Sequence, residues 1–145
     1  MINSFDGEYA FLSNFHETNF LWQGRRYLTV EHFFQAWKAK TKEDFNFVMS
    51  TATPGAAKRA GRKIQLREDW EEVKDDIMLE ALRTKFSIKG LREKLLATGD
   101  EELVEGNCWH DNYWGICSCS RCGNKGQNKL GKLLMQVREE IKNDT

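Results

Sequence analysis

Residues 29–38 read TVEHFFQAWK, and this segment decides how the chain is expected to fold. Thr29 is a favoured N-cap residue, so a helix is predicted to follow it and to end near Thr41. At 100° per residue, Glu31, Gln35 and Lys38 fall on one narrow stripe of that helix. The apolar residues beside the stripe are expected to be buried: Val30, Phe33, Phe34 and Trp37. The stripe itself is either an ordinary solvated row of paired polar groups or one wall of a binding site.

A second segment, residues 105–115, reads EGNCWHDNYWG and contains almost no aliphatic residue. It cannot be a buried strand, and it is rich in aromatic residues for a solvated connection. Aromatic rings beside carboxylates and amides are typical of a pocket that stacks a planar ring and hydrogen-bonds a sugar. In the structural alternative, Trp109 and Trp114 cover the edge of the core and Asp111 forms a turn.

The rest of the chain predicts several helices and a few short strands. Residues 19–28 predict a hairpin around Gln23-Gly24. Thr41 and Thr53-Pro54 are signals for two short helices, and residues 69–86 predict the longest helix. Its expected apolar stripe is Val73, Ile77, Ala81 and Leu82. Further predicted elements are a helix that stops at Gly99, a strand at 103–105 and a last helix from near Gly126. The predicted fold class is α+β, a single mostly helical domain spanning residues 1–145 with short β-strands.

Composition excludes several classes of protein. The 145 residues are 40% hydrophobic and 30% charged, which is ordinary for one globular domain. Lys and Arg total 22, as do Asp and Glu, so a general polyanion binder is not expected. Residues 58–67 are the best basic patch, although a solvated helix face explains them equally well. The sequence shows no secretory signal and no membrane-spanning run, so we expect a cytoplasmic protein with reduced cysteines.

The cysteines have the ligand types of a zinc site. Cys117, Cys119 and Cys122 are closely spaced, and either Cys108 or His110 could be a fourth ligand. The alternative is a flexible loop of reduced thiols. Any zinc here is expected to be structural. Residues 126–131 are not a Walker loop, because no GKS or GKT follows, but a helix start at this position could direct backbone N–H groups at a phosphate.

Five sequence blocks in a fixed order resemble the NADAR family, the YbiA-like group named for its association with NAD and ADP-ribose metabolism. The resemblance extends from Phe5 to Arg138. The blocks are FLSNF at 11–15, EHxxQAxK at 31–38, GR with LRxDW at 61–70, DxxWG at 111–115 and GxNxLGxLLMxxR at 126–138. Residues 116–125, ICSCSRCGNK, depart from the family, whose insert here usually lacks clustered cysteines.

The resemblance implies an N-glycosidase that needs no cofactor for its chemistry. Its implied substrate is a ribose-phosphate or ADP-ribose conjugate, such as ADP-ribosylated guanine in nucleic acid or an early riboflavin-pathway intermediate, with no membrane partner. Lys38 matches a lysine proposed to attack the anomeric carbon through a Schiff base. The implied catalytic residues are Lys38, Glu31, Asp111 and Glu105. The implied substrate-binding residues are Asn14, Gln35, Arg62, Trp70, Trp114 and Asn128, and the candidate metal ligands are Cys117, Cys119, Cys122 and Cys108.

The proposed roles of Lys38 and Glu31 in cleaving a glycosidic bond conflict with each other. Lys38 is a nucleophile only if its amine is neutral, whereas a nearby Glu31 favours the ammonium form. Glu31 could instead hold a ribose hydroxyl. Two further functions are open: a non-catalytic module that binds ADP-ribose or a nucleotide, and a zinc-stabilised nucleic-acid adaptor.

Overall fold

The computed structural model describes residues 1–144, and their contacts group into two compact units. The central unit comprises residues 14–85, and the terminal unit combines residues 1–13 with the residues from Phe86 onward. Helices dominate both units and the strands are short, so the α+β, mostly helical class is confirmed. The single domain stays a prediction. Among the described residues, no helix is both long and apolar enough to cross a membrane.

The central unit begins with the expected hairpin. Strands β1 (Phe20–Trp22) and β2 (Arg25–Tyr27) pair antiparallel, with Phe20 opposite Tyr27. Gln23 and Gly24 between them both have positive φ, 47° and 78°. A two-residue turn of this kind matches the twist of the flanking strands, which is why the Gln-Gly pair fixes the register.

Three short helices follow, and a threonine caps each of them. They are α1 (Val30–Trp37), α2 (Lys42–Met49) and α3 (Pro54–Gly61). The hydroxyls of Thr29, Thr41 and Thr53 each accept the backbone N–H three residues ahead, at 3.1–3.2 Å. A cap of this kind satisfies one of the donors that a helix start leaves unpaired. The three predicted helix starts are therefore confirmed.

Helix α1 ends at Trp37 and not near Thr41. The helix ends early because the backbone of the residues after Trp37 forms hydrogen bonds with a distant segment of the chain. The Lys40 N–H donates to the Gln65 carbonyl at 3.0 Å, and the Arg67 N–H donates to the Lys38 carbonyl at 2.9 Å. Lys38 therefore lies at the junction between the helix and this short extended pairing.

Helix α4 (Trp70–Lys85) is the longest, as expected, but its buried face differs from the prediction. Ala81 and Leu82 are fully buried, whereas Val73 and Ile77 are only half-buried. The helix also buries Trp70, Met78 and Lys85. Burial lowers the pKa of Lys85 to about 7, because loss of solvation disfavours its ammonium form.

Lys85 gives a prediction for stability against pH. Its pKa is lower in the folded chain than in the unfolded chain, so the unfolded chain binds more protons between about pH 7 and pH 10. The wild type should therefore gain stability over Lys85→Met as pH rises through this window, by up to about 1.4 kcal/mol per pH unit. Urea unfolding at several pH values measures this difference. The exposed Lys89→Met is the control, and parallel curves for wild type and Lys85→Met would contradict the buried-amine account.

The terminal unit contains a 3-10 turn at Gly7–Leu12, helix α5 (Lys89–Ala97) and helix α6 (Lys129–Asn143). Its strands β3 (Gly106–Asn107) and β4 (Ile116–Cys117) form a parallel pair. The expected strand at 103–105 is thus displaced, because Leu103 forms only an isolated bridge with Ile2. Helix α5 stops before Gly99, as expected, and packs on α6.

Candidate active site and metal-ligand group

Lys38 lies against two aromatic rings of the central unit. Its Nζ is 5.5 Å from the centroid of Phe34 and 5.9 Å from that of Trp70. The two rings contact each other with their centroids 5.0 Å apart. These rings form an apolar wall beside the amine, which removes water from one side of it.

The surroundings of Lys38 lower its pKa, so its amine gives up a proton more easily than an exposed lysine does. Burial is the largest cause, and it outweighs the opposing charge of Glu31. Three nearby cations lower the pKa further: Arg62, Lys58 and Lys74. Burial and the three cations therefore outweigh the carboxylate, and the Lys38 pKa shifts in the direction that a neutral amine needs.

Glu31 and Gln35 are buried, with 7% and 4% of their surfaces exposed, so the solvated-row interpretation is wrong. The Gln35 amide donates to Glu31 Oε2 at 3.4 Å. The Gln35 side chain lies so close to Gly61 of α3 that a Cβ there would collide with it. Helix α3 thus covers the polar stripe of α1, and a glycine makes that cover possible.

Two buried amide oxygens in this unit have no hydrogen-bond partner within residues 1–144: Asn14 Oδ1 and Gln35 Oε1. Asn14 is tied to the Glu31 segment, because its carbonyl accepts the Glu31 N–H at 3.1 Å. A buried acceptor without a donor costs about 1–3 kcal/mol, so native proteins seldom leave one without a reason. Such atoms are typical of positions that a ligand satisfies.

The central unit thus gathers six of the predicted site residues around α1. They are Asn14, Glu31, Gln35, Lys38, Arg62 and Trp70. Arg62 is exposed and follows α3 directly. Sequence reasoning missed the electrostatic part played by Lys58 and Lys74. The run of basic residues at 58–67 was visible, but it was interpreted as a surface patch.

His32 has a structural role. Its Nδ1 lies 2.8 Å from the Thr29 hydroxyl, and its Nε2 lies 3.0 Å from the Thr51 carbonyl. Burial lowers its pKa, which favours the neutral ring. The imidazole therefore ties the start of α1 to the end of α2.

A separate cavity of about 920 Å³ opens elsewhere in the central unit. Trp22, Tyr27 and Trp37 supply aromatic walls, and Arg25 and Arg67 supply cations. None of the predicted site residues lines this cavity, so its size gives no support to their assignment. The chemistry of the Lys38 surroundings is the better guide to the site.

In the terminal unit, Asn128 joins two backbone segments. Its Oδ1 accepts the Glu105 N–H at 2.9 Å, and its Nδ2 donates to the Leu103 carbonyl at 2.9 Å. The residue is buried, with φ of 51°. This predicted substrate-binding residue therefore uses both amide atoms to hold the chain before β3.

Asp111 forms a turn. Its Oδ1 accepts the backbone N–H groups of Tyr113 and Trp114, at 3.2 and 2.9 Å. The half-buried Trp114 packs edge-on against Tyr113, whereas Trp109 is 55% exposed. Asp111 therefore forms a turn, as the structural alternative predicts, whereas Trp109 does not cover the edge of the core. Because Oδ1 is used in the turn, any role of Asp111 in catalysis would use Oδ2.

Asn107 links Asp111 and Glu105, the two predicted catalytic residues of this unit. Its Nδ2 donates to the Asp111 carbonyl at 2.9 Å and lies 3.5 Å from Glu105 Oε2. Its Oδ1 accepts the Asp111 N–H at 3.2 Å. Asn107 is buried, so this amide fixes the Asp111 turn beside β3. Sequence reasoning missed this residue because nothing local marks it.

The expected phosphate-facing helix start is wrong. Helix α6 begins at Lys129, and the N–H groups around its start already have protein partners. Backbone carbonyls of residues 112–115 accept the N–H groups of residues 127–130 at 2.8–3.3 Å. These donors hold the aromatic segment in place and are not directed at a ligand.

Four side chains of the terminal unit form a metal-ligand group: His110, Cys117, Cys119 and Cys122. One ligand atom from each lies within 4.8 Å of the others. His110 takes the fourth position, and the exposed Cys108 is not part of the group. The sequence spacing could not decide whether Cys108 or His110 is the fourth ligand. The choice depends on the local backbone conformation, in which His110 has a φ of 69°.

The family model of the NADAR domain matches residues 3–142. The chain belongs to the NADAR family. It is 43% identical over 141 residues to an N-glycosidase of Nostoc punctiforme, covering 93% of this chain and 87% of that protein. It is 38% identical over 137 residues to N-glycosidase YbiA of Escherichia coli, covering 92% and 82% respectively.

The NADAR fold is also seen in a solved relative. The NMR structure of Escherichia coli YbiA matches this chain with a TM-score of 0.85 at 36% identity. The match covers 99% of this chain and 86% of that structure. A riboflavin biosynthesis protein of Vibrio vulnificus is 33% identical over 139 residues, but those residues are only 36% of its length. The NADAR domain is therefore also part of longer proteins.

Proposed function

We propose that this NADAR protein is an N-glycosidase, a hydrolase that cleaves the bond between a ribose carbon and the nitrogen of a base. One observation carries the proposal: the amine of Lys38 is half-buried against Phe34 and Trp70 and has a lowered pKa. An amine nucleophile needs such surroundings and also access for a substrate. Lys38 is half-buried and so keeps that access, whereas Lys85, whose pKa is also lowered, is fully buried. Full-length relatives named as N-glycosidases support the same activity.

The proposed reaction begins with attack of the neutral Lys38 Nζ on the anomeric carbon. The carbon–nitrogen bond breaks, its electron pair leaves with the base, and the base takes up a proton. Opening of the sugar ring and loss of a proton from Nζ give an imine between Lys38 and the sugar. Water then adds to the imine carbon, which releases the sugar as its aldehyde and restores the amine. The sum is hydrolysis, with no cofactor consumed.

Glu31 is proposed to position the substrate. Its carboxylate is buried beside the Gln35 amide, where it can accept a hydrogen bond from a ribose hydroxyl. The unpartnered oxygens of Asn14 and Gln35 can accept further hydroxyl or amine donors. Acceptors of this kind suit a sugar, whose hydroxyls are donors.

The substrate class proposed is a ribose-phosphate or ADP-ribosyl conjugate. The cations that lower the pKa of Lys38 also favour a phosphorylated substrate: Arg62, Lys58 and Lys74. Trp70 can contribute ring contact to the base or the sugar. Asp111 and Glu105 belong to the terminal unit, and the charge-stabilising role that the family resemblance implies for them stays a prediction.

A non-catalytic ADP-ribose reader is the second candidate, because it would use the same acceptors and cations. A reader has no use for an amine of lowered pKa, which favours the enzyme. The test supplies ADP-ribosylated guanine DNA and, separately, early riboflavin-pathway intermediates, and it measures released base and sugar by mass spectrometry. Release above the level with Lys38→Ala supports the enzyme. Tight binding without release would favour the reader.

The pH profile gives a sharper prediction. Activity should rise with pH as Lys38 loses its proton, at a pH below the value near 10.4 of an ordinary lysine. Lys58→Met removes a neighbouring cation, so it should raise the Lys38 pKa and move the rise to higher pH. Glu31→Gln removes the opposing charge and should move the rise to lower pH. The exposed Lys63→Met is the control, and a rise that stays in place in both variants would exclude Lys38 as the titrating group.

The proposed chemistry needs no metal. If the group of His110 and three cysteines holds an ion, its role is structural, because four protein ligands fill a tetrahedral site and leave no position for a substrate. The adaptor function suggested by the cysteines is therefore not needed to explain them.

A further inference from the structure

We propose that His110, Cys117, Cys119 and Cys122 bind one zinc ion, which holds the Asp111 turn against strand β4. The distances from His110 to the three sulfur atoms lie on either side of the value expected for a tetrahedral site. Zinc bonds of about 2.3 Å to sulfur and 2.0–2.1 Å to nitrogen place neighbouring ligand atoms about 3.5–3.8 Å apart. The His110 Nδ1 lies 3.3 Å from the Sγ of Cys119, 3.3 Å from that of Cys122 and 4.0 Å from that of Cys117.

The backbone around Cys119 and Cys122 is shaped for a metal-bound thiolate. The Cys122 N–H donates to Cys119 Sγ at 3.3 Å, and the Gly123 N–H donates to the Cys119 carbonyl at 2.9 Å. Gly123 and Asn124 then reverse the chain with φ of 61° and 62°. Donation to sulfur stabilises its charged form, and a charged sulfur is the form that binds zinc.

His110 supplies a second, independent observation. Its φ of 69° lies in the left-handed region, which costs free energy for a residue other than glycine. That conformation brings Nδ1 within reach of three sulfur atoms, although the ring itself is exposed. Metal coordination explains why an exposed side chain is held in this position.

Zinc fits the group better than other occupants. Three thiolates and one imidazole favour zinc over the hard cations, which prefer oxygen ligands. A disulfide would use two of the cysteines, and it would leave the convergence of His110 and the third cysteine without a reason. Cys117 is fully buried, so the ion has one ligand in the core of the unit and the others nearer the surface.

The zinc ion would add a direct link between the Asp111 turn and strand β4. Cys117 lies on β4 opposite Asn107 of β3, and His110 directly precedes Asp111. Without metal, hydrogen bonds from the Asn107 amide and from the N–H groups of residues 127–130 hold the turn and the residues that follow it. With metal, that turn is bonded through His110 to β4. Metal loss should therefore loosen the 108–126 segment before the rest of the unit.

The experiment uses the full chain purified under reducing conditions, with zinc measured by elemental analysis. We expect about one zinc per chain in the wild type and in Cys108→Ser, and almost none in Cys119→Ser. Cys108 is the matched control because it is an exposed cysteine of the same segment outside the group. Cobalt added to the metal-free wild type should give the absorption bands of tetrahedral thiolate coordination, a readout that does not depend on any variant folding.

Alkylation tests the same ligands in the wild type. With metal, Cys108 should react with iodoacetamide much faster than the other cysteines, and after removal of metal by a chelator all four should react. Intact mass also reports any disulfide as a loss of two hydrogens. A metal-free chain that gives no cobalt bands, equal alkylation of all cysteines, or a disulfide within the group would overturn the proposal.

Discussion

Lys38→Ala is expected to abolish base release while the fold survives. Removal of a nucleophile should lower turnover by at least about a thousandfold, because no other group replaces the covalent step. The fold should survive because Lys38 is only half-buried and follows α1, so its truncation opens no core cavity. Single-turnover release and thermal unfolding measure the two effects. The exposed Lys63→Ala should change neither, and near-normal release by Lys38→Ala would remove the nucleophile assignment.

Borohydride separates the covalent route from direct attack by water. It reduces an imine to a stable amine, so during turnover it should leave the sugar attached to Lys38. Peptide mass mapping locates the adduct. A fully active enzyme that never yields an adduct would instead favour water activated by a carboxylate.

The second large effect is expected at Gly131 in α6. A Cβ there would collide with the Leu103 carbonyl and with the side chain of Asn128. Alanine is the better helix former by roughly 0.5–1 kcal/mol, but the collision involves backbone that cannot easily move. Gly131→Ala should therefore lower the free energy of unfolding by about 1–3 kcal/mol.

Gly90 of α5 is the matched comparison, because the space around its missing Cβ is open. Gly90→Ala should raise the free energy of unfolding by about 0.4–1 kcal/mol. Urea unfolding of both variants measures the two changes. Effects of the same sign would show that helix propensity, and not the contact with Leu103, decides the outcome at Gly131.

Local rules predicted the parts of the fold that depend on neighbouring residues. A threonine hydroxyl reaches an N–H only three residues ahead, and the Gln23-Gly24 turn needs only its own two φ angles. The alignment of Glu31, Gln35 and Lys38 follows from helix geometry alone. These features could be read from the sequence because no distant residue competes with them.

The features that the sequence left open or predicted wrongly depend on distant partners. Burial of Glu31 and Gln35, which the sequence left open, follows from the close approach of α3 at Gly61, which the pattern of α1 does not contain. The early end of α1 follows from pairing with residues 65–67. The donors at the start of α6 have carbonyl partners in residues 112–115, which a local reading could not assign. Each error was made where a long-range contact replaced a local preference.

The lowered pKa of Lys38 was only partly predictable from the sequence. The sequence predicted that Glu31 lies near Lys38. A nearby carboxylate raises the pKa of a lysine, which is the wrong direction for a nucleophile. The deciding influences are burial and the charges of α3 and α4, which only the tertiary structure brings together. The lowered pKa at this position is therefore a property of the packed central unit and not of the EHxxQAxK motif by itself.

The make-up of the terminal unit has a consequence for synthesis of the chain on the ribosome. Ile2 exchanges backbone hydrogen bonds with Glu102 and Val104, both at 2.8 Å. During translation, residues 1–13 must therefore wait for about a hundred later residues before their partners exist. The central unit, whose contacts lie within residues 14–85, can form first. Residues 1–13 are made well before their partners and are thus among the last to reach their native positions, and slow translation after residue 85 would lengthen their exposure to chaperones and proteases.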